Sequence, residues 1–212
     1  MLTALIDYDS GNLHSAQKAF ERMAADLTGE TVVVTSDADV VRRADRIVLP
    51  GDGAFPACKS ALTDRRGLYE ALLDSVEQQA KPFLGICVGM QMMATTGHEY
   101  DQTAGLGWVA GDVRRITPTD PTMKVPHMGW NDLIVTGSHP VLDGIQSGDH
   151  AYFVHSYQMV VADTADRLAH CEYGGDVTAI VGSGTKIGTQ FHPEKSQSAG
   201  LRLISNFLKW RP

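Results

Sequence analysis

The stretch KPFLGICVGMQMM, residues 81–93, joins an apolar run to helix-forming residues through Cys87, which lies between Gly85 and Gly89. A strand that passes directly into a helix through a glycine-flanked turn is typical of a nucleophile elbow, where the nucleophile stands on a strained turn. At a helix N-terminus the positive end of the dipole favours a thiolate. Free cysteine is also among the most buried residue types. The stretch alone therefore leaves two possibilities open, a reactive thiol or an inert buried one.

Around this stretch, the first half of the chain alternates strand-like runs with helical periodicity. Strands are predicted for LTALIDY (2–8), TVVVTS (31–36), RIVLP (46–50) and PFLGI (82–86). Helices are predicted after the first strand, with Leu13, Ala16, Phe20, Met23 and Ala24 on one face, and over 67–80, with Leu68, Leu72, Leu73 and Val76 on one face. This alternation predicts a parallel sheet covered by helices on both faces.

The second half of the chain contains many short strand-like runs separated by Gly, Pro, Asp and Ser. They are GDVRRI (111–116), NDLIV (131–135), AYFVHSY (151–157), RLAHCEY (167–173), DVTAIV (176–181) and KIGTQF (186–191). Such runs predict hairpins packed beside the parallel core or added to it. A final amphipathic helix is predicted over 198–210.

Composition limits the kind of protein. A chain of 212 residues with 43% apolar content predicts one domain over 1–212. The net charge of -7 argues against nucleic-acid binding, because a polyanion requires clustered Lys and Arg. No apolar run reaches the roughly 18 residues that span a bilayer, so we expect no membrane contact and a soluble, cytoplasmic protein. Three separated cysteines without a C-x-x-C pair predict neither a disulfide framework nor a metal site.

A nucleophilic thiol needs a base, and His192 in GTQFHPEKS (188–196) is the strongest candidate. It follows a strand-like run and lies two residues before Glu194. Residues i and i+2 of an extended segment point to the same side, so Glu194 could orient the His192 ring toward a thiol. A surface turn is the alternative for the His-Pro-Glu segment.

A third motif, LPGDGAF (49–55), also follows a strand. Two glycines around Asp52 allow the backbone to change its peptide orientation, so an N–H group there could stabilise an oxyanion. The alternative is a simple glycine-rich turn. The motif is not a Walker-type phosphate loop, since no Gly-Lys-Ser/Thr follows it.

The motifs LPGDGAF, GICVGMQ (85–91) and QFHPE (190–194) together resemble the glycine loop, nucleophile turn and His-x-Glu of class I triad glutamine amidotransferases, in the same order. IDYDSGNLHS (6–15), GLGWVAGDVRRI (105–116), KVPHMGWN (124–131) and YFVHSY (152–157) resemble the glutaminase subunits of imidazole glycerol phosphate synthases, which act in L-histidine biosynthesis. The resemblance covers nearly the whole chain. It implies a flavodoxin-like, three-layer α/β fold with a mostly parallel central sheet, helices on both faces and additional antiparallel strands in the second half.

The resemblance also implies a mechanism. Cys87 would attack the side-chain amide of L-glutamine, His192 would protonate the leaving ammonia, and Glu194 would hold His192. The oxyanion would be stabilised by backbone N–H groups of Val88 and of the glycine loop, Gly51, Asp52 and Gly53. Positions that match glutamine-binding ones are Gly51, Gly53, Gln91, Ser156 and Tyr157, with Glu99 expected at the α-amino group. No cofactor is implied.

The resemblance further implies a heterodimer with a (βα)8-barrel cyclase subunit. A single domain of 212 residues leaves no room for an attached synthetase domain, so we expect the ammonia acceptor to belong to this partner. The partner would make imidazole glycerol phosphate and aminoimidazole carboxamide ribotide. Asn12, Trp130 and Tyr152 match positions at that interface, and aromatic side chains are common interface anchors. Core packing is the alternative for Trp130. In the family, a ligand on the partner promotes a flip of the glycine loop.

Three positions depart from the usual pattern. Asp9 replaces a common Gly, Asp52 replaces a common apolar residue, and Val88 replaces a common Leu. Only backbone atoms act at positions 52 and 88, so we expect catalysis to survive. The Asp52 side chain could hydrogen-bond locally and bias the loop toward one conformer.

Other functions remain possible at this level. The glutaminase subunit of a pyridoxal phosphate synthase is one, although KVPHMGWN favours the histidine pathway. A γ-glutamyl peptidase of the same fold would act alone on peptides. A non-catalytic binding subunit is disfavoured because all three candidate catalytic residues are present.

Overall fold

A mixed sheet of eight strands lies at the centre of the computed structural model, which describes residues 1–212. The chain contains the strands β1 (Leu2–Ile6), β2 (Thr31–Thr35), β3 (Arg46–Gly51), β4 (Phe83–Cys87), β5 (Thr96–Gly97), β6 (Thr103–Ala104), β7 (Gly111–Arg115), β8 (His127–Asp132), β9 (Ile134–Val135), β10 (His150–His155), β11 (Tyr157–Val161), β12 (Arg167–Glu172), β13 (Asp176–Ser183) and β14 (Lys186–Thr189). Its α-helices are α1 (Leu13–Ala25), α2 (Ala38–Arg43), α3 (Phe55–Asp64), α4 (Arg66–Leu73), α5 (Val88–Gln91) and α6 (Gln197–Lys209). Short 3₁₀ turns cover Pro140–Leu142, Thr164–Asp166 and Pro193–Lys195, and a π turn covers Asp74–Gln78.

The central sheet has the order β2-β1-β3-β4-β14-β13-β12-β9. Its first five strands pair in parallel, and the last three are added by antiparallel pairing. This confirms the predicted parallel core with hairpins added from the second half of the chain. The other strands form a β8–β10 ribbon and a four-stranded sheet of order β11-β7-β5-β6.

Helices cover both faces of the sheet. The strand order reverses at β1, so right-handed crossovers place α1 on one face and α2, α3 and α4 on the other. The first of these layers is closed by α6, where Phe207 meets Phe20 of α1 edge to face at 6.4 Å between ring centroids. The three-layer α/β architecture is therefore confirmed.

The central strands are buried because both of their faces are covered. Every residue of β3 and β4 is buried, as the continuous apolar runs predict. The polar exception is Arg46 at the start of β3, whose Nη1 lies 2.9 Å from Oε2 of Glu30. Oε1 of Glu30 also lies 3.2 Å from Nη2 of Arg211. This ion-pair cluster satisfies the buried charge at the edge of the sheet where the parallel strands begin.

Several elements differ from the sequence prediction. Helix α3 was not predicted, and strand β8 was predicted only over its last two residues. The run NDLIV divides at the buried Leu133 between two sheets, and AYFVHSY likewise divides into β10 and β11. The helix predicted over 67–80 is an α-helix only as far as Leu73, and the residues after it form the π turn.

The helix after Cys87 is a single turn, α5, rather than a long helix. Its continuation is prevented by the loop over 105–109. N–H groups of Leu106 and Trp108 donate to the carbonyls of Met92 and Met93 at 2.7 and 2.8 Å. Those carbonyls are the acceptors that the next helical turn would need. No helix of the chain combines the length and apolarity that crossing a bilayer requires.

Candidate active site

The three predicted motifs meet at one edge of the sheet. In the β3–β4 ladder Gly51 lies directly opposite Cys87, and in the β14–β4 ladder Thr189 lies opposite Ile86. The carboxyl ends of three adjacent parallel strands therefore lie side by side. Ligands of open α/β sheets bind at such an edge.

Cys87 stands on a strained turn. Its φ of 55° and ψ of -113° lie in a region that L-residues rarely adopt. The turn presses closely on the neighbouring strand, since a Cβ on Gly89 would lie 1.8 Å from the carbonyl oxygen of Leu49. Cys87 thus has the strained strand-to-helix geometry that the glycine-flanked turn predicted, although the helix behind it is only one turn long.

His192 and Glu194 form a buried pair. Nδ1 of His192 lies 2.9 Å from Oε1 of Glu194, and both side chains are at most 4% exposed. The pair is held by the 3₁₀ turn Pro193–Lys195, not by the strand alternation from which we argued. The other ring nitrogen, Nε2, has no hydrogen-bond partner.

Burial lowers the pKa of His192, but the sulfur of Cys87 and the carboxylate of Glu194 next to the ring raise it more, so that the pKa is raised to about 10. The ring therefore holds its proton readily beside the thiol. An imidazolium next to a thiolate is the arrangement that a cysteine nucleophile needs.

The backbone around His192 is fixed by β10. The N–H of His192 donates to the carbonyl of Tyr152 at 3.1 Å. The hydroxyl of Ser196 donates to the carbonyl of His192 at 2.7 Å and accepts from the N–H of Tyr152 at 2.9 Å. The candidate base is therefore attached to the strand that carries Tyr152.

The glycine loop is held by residues from two other segments. The N–H of Asp52 donates to Oγ of Ser10 at 3.2 Å, and that hydroxyl lies 2.8 Å from the carbonyl oxygen of Asp52. Sγ of Cys58 also donates to this carbonyl at 3.2 Å. Burial raises the pKa of the Cys58 thiol, which keeps it protonated as a donor.

All of these contacts involve the backbone of Asp52 and none involves its side chain, which the sequence offered as a possible local hydrogen-bond partner. In this conformation the N–H of Asp52 is committed to Ser10. The loop must therefore rearrange before that N–H can face an oxyanion at Cys87.

A cavity of about 200 Å³ opens at the thiol. Its lining includes eight residues that the sequence predicted, namely Asp52, Gly53, Cys87, Val88, Gln91, Glu99, Ser156 and Tyr157. Pro126, Val154 and His155 complete the lining, while Gly51, His192 and Glu194 lie outside it.

Two polar side chains in this cavity each keep one oxygen free. Nε2 of Gln91 donates to the carbonyl of Tyr157 at 2.9 Å and to Oε1 of Gln190 at 3.0 Å, which leaves Oε1 of Gln91. Oε2 of Glu99 accepts from the N–H of Phe55 at 2.8 Å, at the start of α3, which leaves Oε1 of Glu99. Both free oxygens can accept hydrogen bonds from a ligand.

The three predicted interface residues have different environments. Trp130 on β8 is 48% exposed and meets Tyr152 on β10 edge to face, with ring centroids 5.8 Å apart. The core-packing alternative for Trp130 is therefore wrong. Asn12 caps α1, where its Oδ1 accepts from the N–H of Ser15 at 3.4 Å.

Two buried histidines next to the cavity form a directed chain of hydrogen bonds. His127 and His155 are opposite each other in the β8–β10 ribbon, with Nδ1 of His127 3.1 Å from Nε2 of His155. Nδ1 of His155 donates to the carbonyl of Tyr157 at 2.8 Å, which makes Nε2 of the neutral ring an acceptor. Nδ2 of Asn131 lies 3.3 Å from Nε2 of His127 and donates to the carbonyl of Glu172. Burial lowers the pKa of His127 to about 4 and that of His155 to about 3, so both rings are neutral.

Sequence reasoning missed four residues at this site, namely Ser10, Cys58, His127 and Gln190, the last as a polar group at the thiol. Gln190 had a usable signal, because it lies in QFHPE two residues before His192. Ser10 and His127 gave no such signal, because their contacts join segments far apart in the chain, and Cys58, six residues from Asp52, lies in no pattern that marks it as a donor.

Comparison with known proteins bears on this geometry. Residues 4–210 match the family model described as glutamine amidotransferase class-I. The chain belongs to this family. Among curated members it is 66% identical to the imidazole glycerol phosphate synthase subunit HisH of Ruegeria pomeroyi and 65% identical to that of Cereibacter sphaeroides, with 100% of both chains covered in each case. The resemblance read from the motifs is thereby confirmed.

The fold is shared with solved structures at much lower identity. One crystal structure of a glutamine amidotransferase superposes with a TM-score of 0.73 at 19% identity, covering 97% of each chain. This similarity supports the class I glutamine amidotransferase fold.

Proposed function

We propose that this chain is the glutaminase subunit of an imidazole glycerol phosphate synthase in L-histidine biosynthesis, hydrolysing L-glutamine through Cys87, His192 and Glu194. The observation that carries the proposal is the strained Cys87 beside the buried His192–Glu194 pair. The relatives named HisH supply the pathway. A cytoplasmic location stays a prediction.

Glutamine binding would use the cavity at the thiol. The free oxygen of Glu99 suits the α-ammonium group of the substrate, and the free oxygen of Gln91 suits another of its N–H groups. Ser156 and Tyr157 would line the same cavity. The side-chain amide carbon would then lie next to Sγ of Cys87.

Acylation follows from the arrangement of the triad. The Cys87 thiolate forms a bond to the amide carbon of glutamine, and the oxygen of that carbonyl takes the negative charge. The N–H groups of Val88 and of the rearranged glycine loop would stabilise this oxyanion. The C–N bond then breaks, and His192 gives its proton to the leaving ammonia while Glu194 holds the ring in place.

Deacylation reverses these roles. His192, now neutral, takes a proton from water, whose oxygen attacks the thioester carbon. The C–S bond breaks, the electron pair returns to sulfur, and glutamate leaves. No cofactor is needed for either step.

Ammonia would pass to a cyclase subunit rather than to solvent. The exposed Trp130 and the adjacent Tyr152 suit an interface with this partner. Because Tyr152 also binds the backbone of His192, partner contact and the triad would be directly connected.

The test is Cys87→Ala in the reconstituted complex with the cyclase subunit. We expect glutamine-dependent formation of imidazole glycerol phosphate to be lost and ammonia-dependent formation to remain. Cys171→Ala is the matched control, because Cys171 is also a free, buried cysteine but lies on β12 outside the cavity. Glutamine-dependent turnover that persists in Cys87→Ala would contradict the proposal.

The same assay separates the other functions. Peptide hydrolysis by the isolated chain would favour a γ-glutamyl peptidase. Glutamine turnover that requires a pyridoxal phosphate synthase partner would favour that complex. Absence of any Cys87-dependent reaction would favour a binding subunit.

A further inference from the structure

Gln190 lies at the centre of the site but has no part in the triad. It is the first residue after β14 and is completely buried. Its backbone N–H donates to the carbonyl of Ala179 at 2.8 Å, which fixes its position beside the sheet. Its side chain lies between Gln91 and Cys87.

The orientation of the Gln190 amide follows from its neighbours. The carbonyl of Tyr157 can only accept, so the atom of Gln91 that faces it at 2.9 Å must be the nitrogen. The same nitrogen faces Gln190 at 3.0 Å, so Gln190 must present its oxygen there. The amide nitrogen of Gln190 is then the group 3.8 Å from Sγ of Cys87.

An N–H donor at this sulfur has a chemical consequence. A hydrogen bond to an ionised acceptor is stronger than one to the neutral form, so the donor favours a thiolate over a thiol. It also favours sulfur as a leaving group when the C–S bond of the thioester breaks and sulfur regains its electron pair. Because the amide is completely buried, no bulk water competes for it.

We propose that Gln190 is a positioning residue of the glutaminase reaction, which donates to Cys87 and sets the reactivity of its sulfur. This inference rests on the proposed function, in which Cys87 is the nucleophile. It assigns a functional role to the first residue of the QFHPE motif, which is not part of the triad. It also links substrate to nucleophile, because Gln91 contacts both the cavity and Gln190.

The test variant is Gln190→Glu, which conserves shape and keeps an oxygen for the Gln91 bond but replaces the donor at the sulfur by an acceptor. The readout is alkylation of Cys87 by iodoacetamide in the complex, followed by mass spectrometry of the Cys87 peptide across a pH series. We expect the pH midpoint to move upward and the alkylation rate at neutral pH to fall by about tenfold or more. Glutamine-dependent kcat should fall by a similar factor while ammonia-dependent turnover stays unchanged.

Two further variants make the result decisive. Gln78→Glu adds the same charge at an exposed site and should leave the alkylation profile as in the wild type. Gln190→Met removes the donor without adding charge, and co-elution with the cyclase subunit on size-exclusion chromatography shows that the complex is assembled. An unchanged profile in both Gln190 variants overturns the inference. Absence of glutamine turnover by the wild-type complex overturns the proposed function instead.

Discussion

At the scale of single residues, the nucleophile turn depends on the missing side chain of Gly89. A Cβ there would lie 1.8 Å from backbone that belongs to the fully buried strand β3. Neither the turn that contains Gly89 nor strand β3 can move without disturbing the ladder that places Gly51 opposite Cys87.

We therefore predict that Gly89→Ala lowers the free energy of unfolding by about 3 kcal/mol or more. Gly67→Ala is the control, since its Cβ would meet only Cβ of Ala38 at 3.9 Å. Alanine in that helix should instead stabilise by up to about 1 kcal/mol. Urea unfolding measures both values, and equal midpoints for the two variants would show the close approach to be unimportant.

The residues that could be predicted from the sequence are those whose role is local. Cys87 lies in a glycine-flanked turn and His192 lies two residues from Glu194, so short spacing was enough. Ser10 contacts Asp52 across 42 residues of chain, and Gln190 contacts Cys87 across 103 residues, so that only its place in the QFHPE motif gave a signal for it. A hydrophobic pattern carries no information about such polar contacts.

At the scale of elements, the loop after β1 holds the loop after β3. Ser10 and Cys58 together satisfy both the N–H and the carbonyl of Asp52. A net hydrogen bond contributes about 1 kcal/mol. The conformer in which the N–H of Asp52 donates to Ser10 is therefore favoured by contacts that Ser10 supplies.

We predict that Ser10→Ala raises the glutaminase rate of the isolated chain by about 3- to 10-fold, because the glycine loop loses its hydroxyl partner. The rate in the complex with its ligand should change less. Ser60→Ala on α3 is the matched control, since Ser60 is exposed and its hydrogen bonds join it only to Thr63 and Asp64 of the same helix. Steady-state assays of glutamate release measure the effect, and an unchanged or lower unstimulated rate would argue against this role of Ser10.

At the scale of the whole molecule, two neutral histidines connect pH to stability. His127 and His155 have pKa values lowered by burial to about 4 and about 3, against about 6.5 in an unfolded chain. Between about pH 6.5 and 4 the unfolded state binds more protons than the folded state. Stability from these groups is present above pH 6.5 and is lost as pH falls through this window.

We predict that the free energy of unfolding decreases on acidification by about 1 kcal/mol per pH unit for each of the two rings. Chemical unfolding between pH 7 and 4.5 measures how the free energy of unfolding changes with pH. His155→Gln should reduce this slope by the contribution of one ring. His14→Gln, at an exposed position of α1, should leave the slope as it is. Parallel curves for the wild type and His155→Gln would refute the assignment.

Fold prediction succeeded where burial imposed a simple pattern. The parallel core followed from continuous apolar strands such as PFLGI, and the final helix followed from its apolar face. It failed where one strand-like run serves two sheets, as at Leu133, and it set no length for the helix after Cys87, which loop N–H groups end after one turn. Both failures come from tertiary hydrogen bonding and packing, which local periodicity does not record.

The ion-pair cluster of Arg46, Glu30 and Arg211 has a practical consequence for assembly. It ties the last residues of the chain to the edge where the parallel strands begin, next to the start of β1, whereas the thiol and the cavity lie at the opposite edge. Affinity handles attached near Met1 or Arg211 therefore point away from the cavity at Cys87. Protein immobilised through such a handle should keep that cavity accessible.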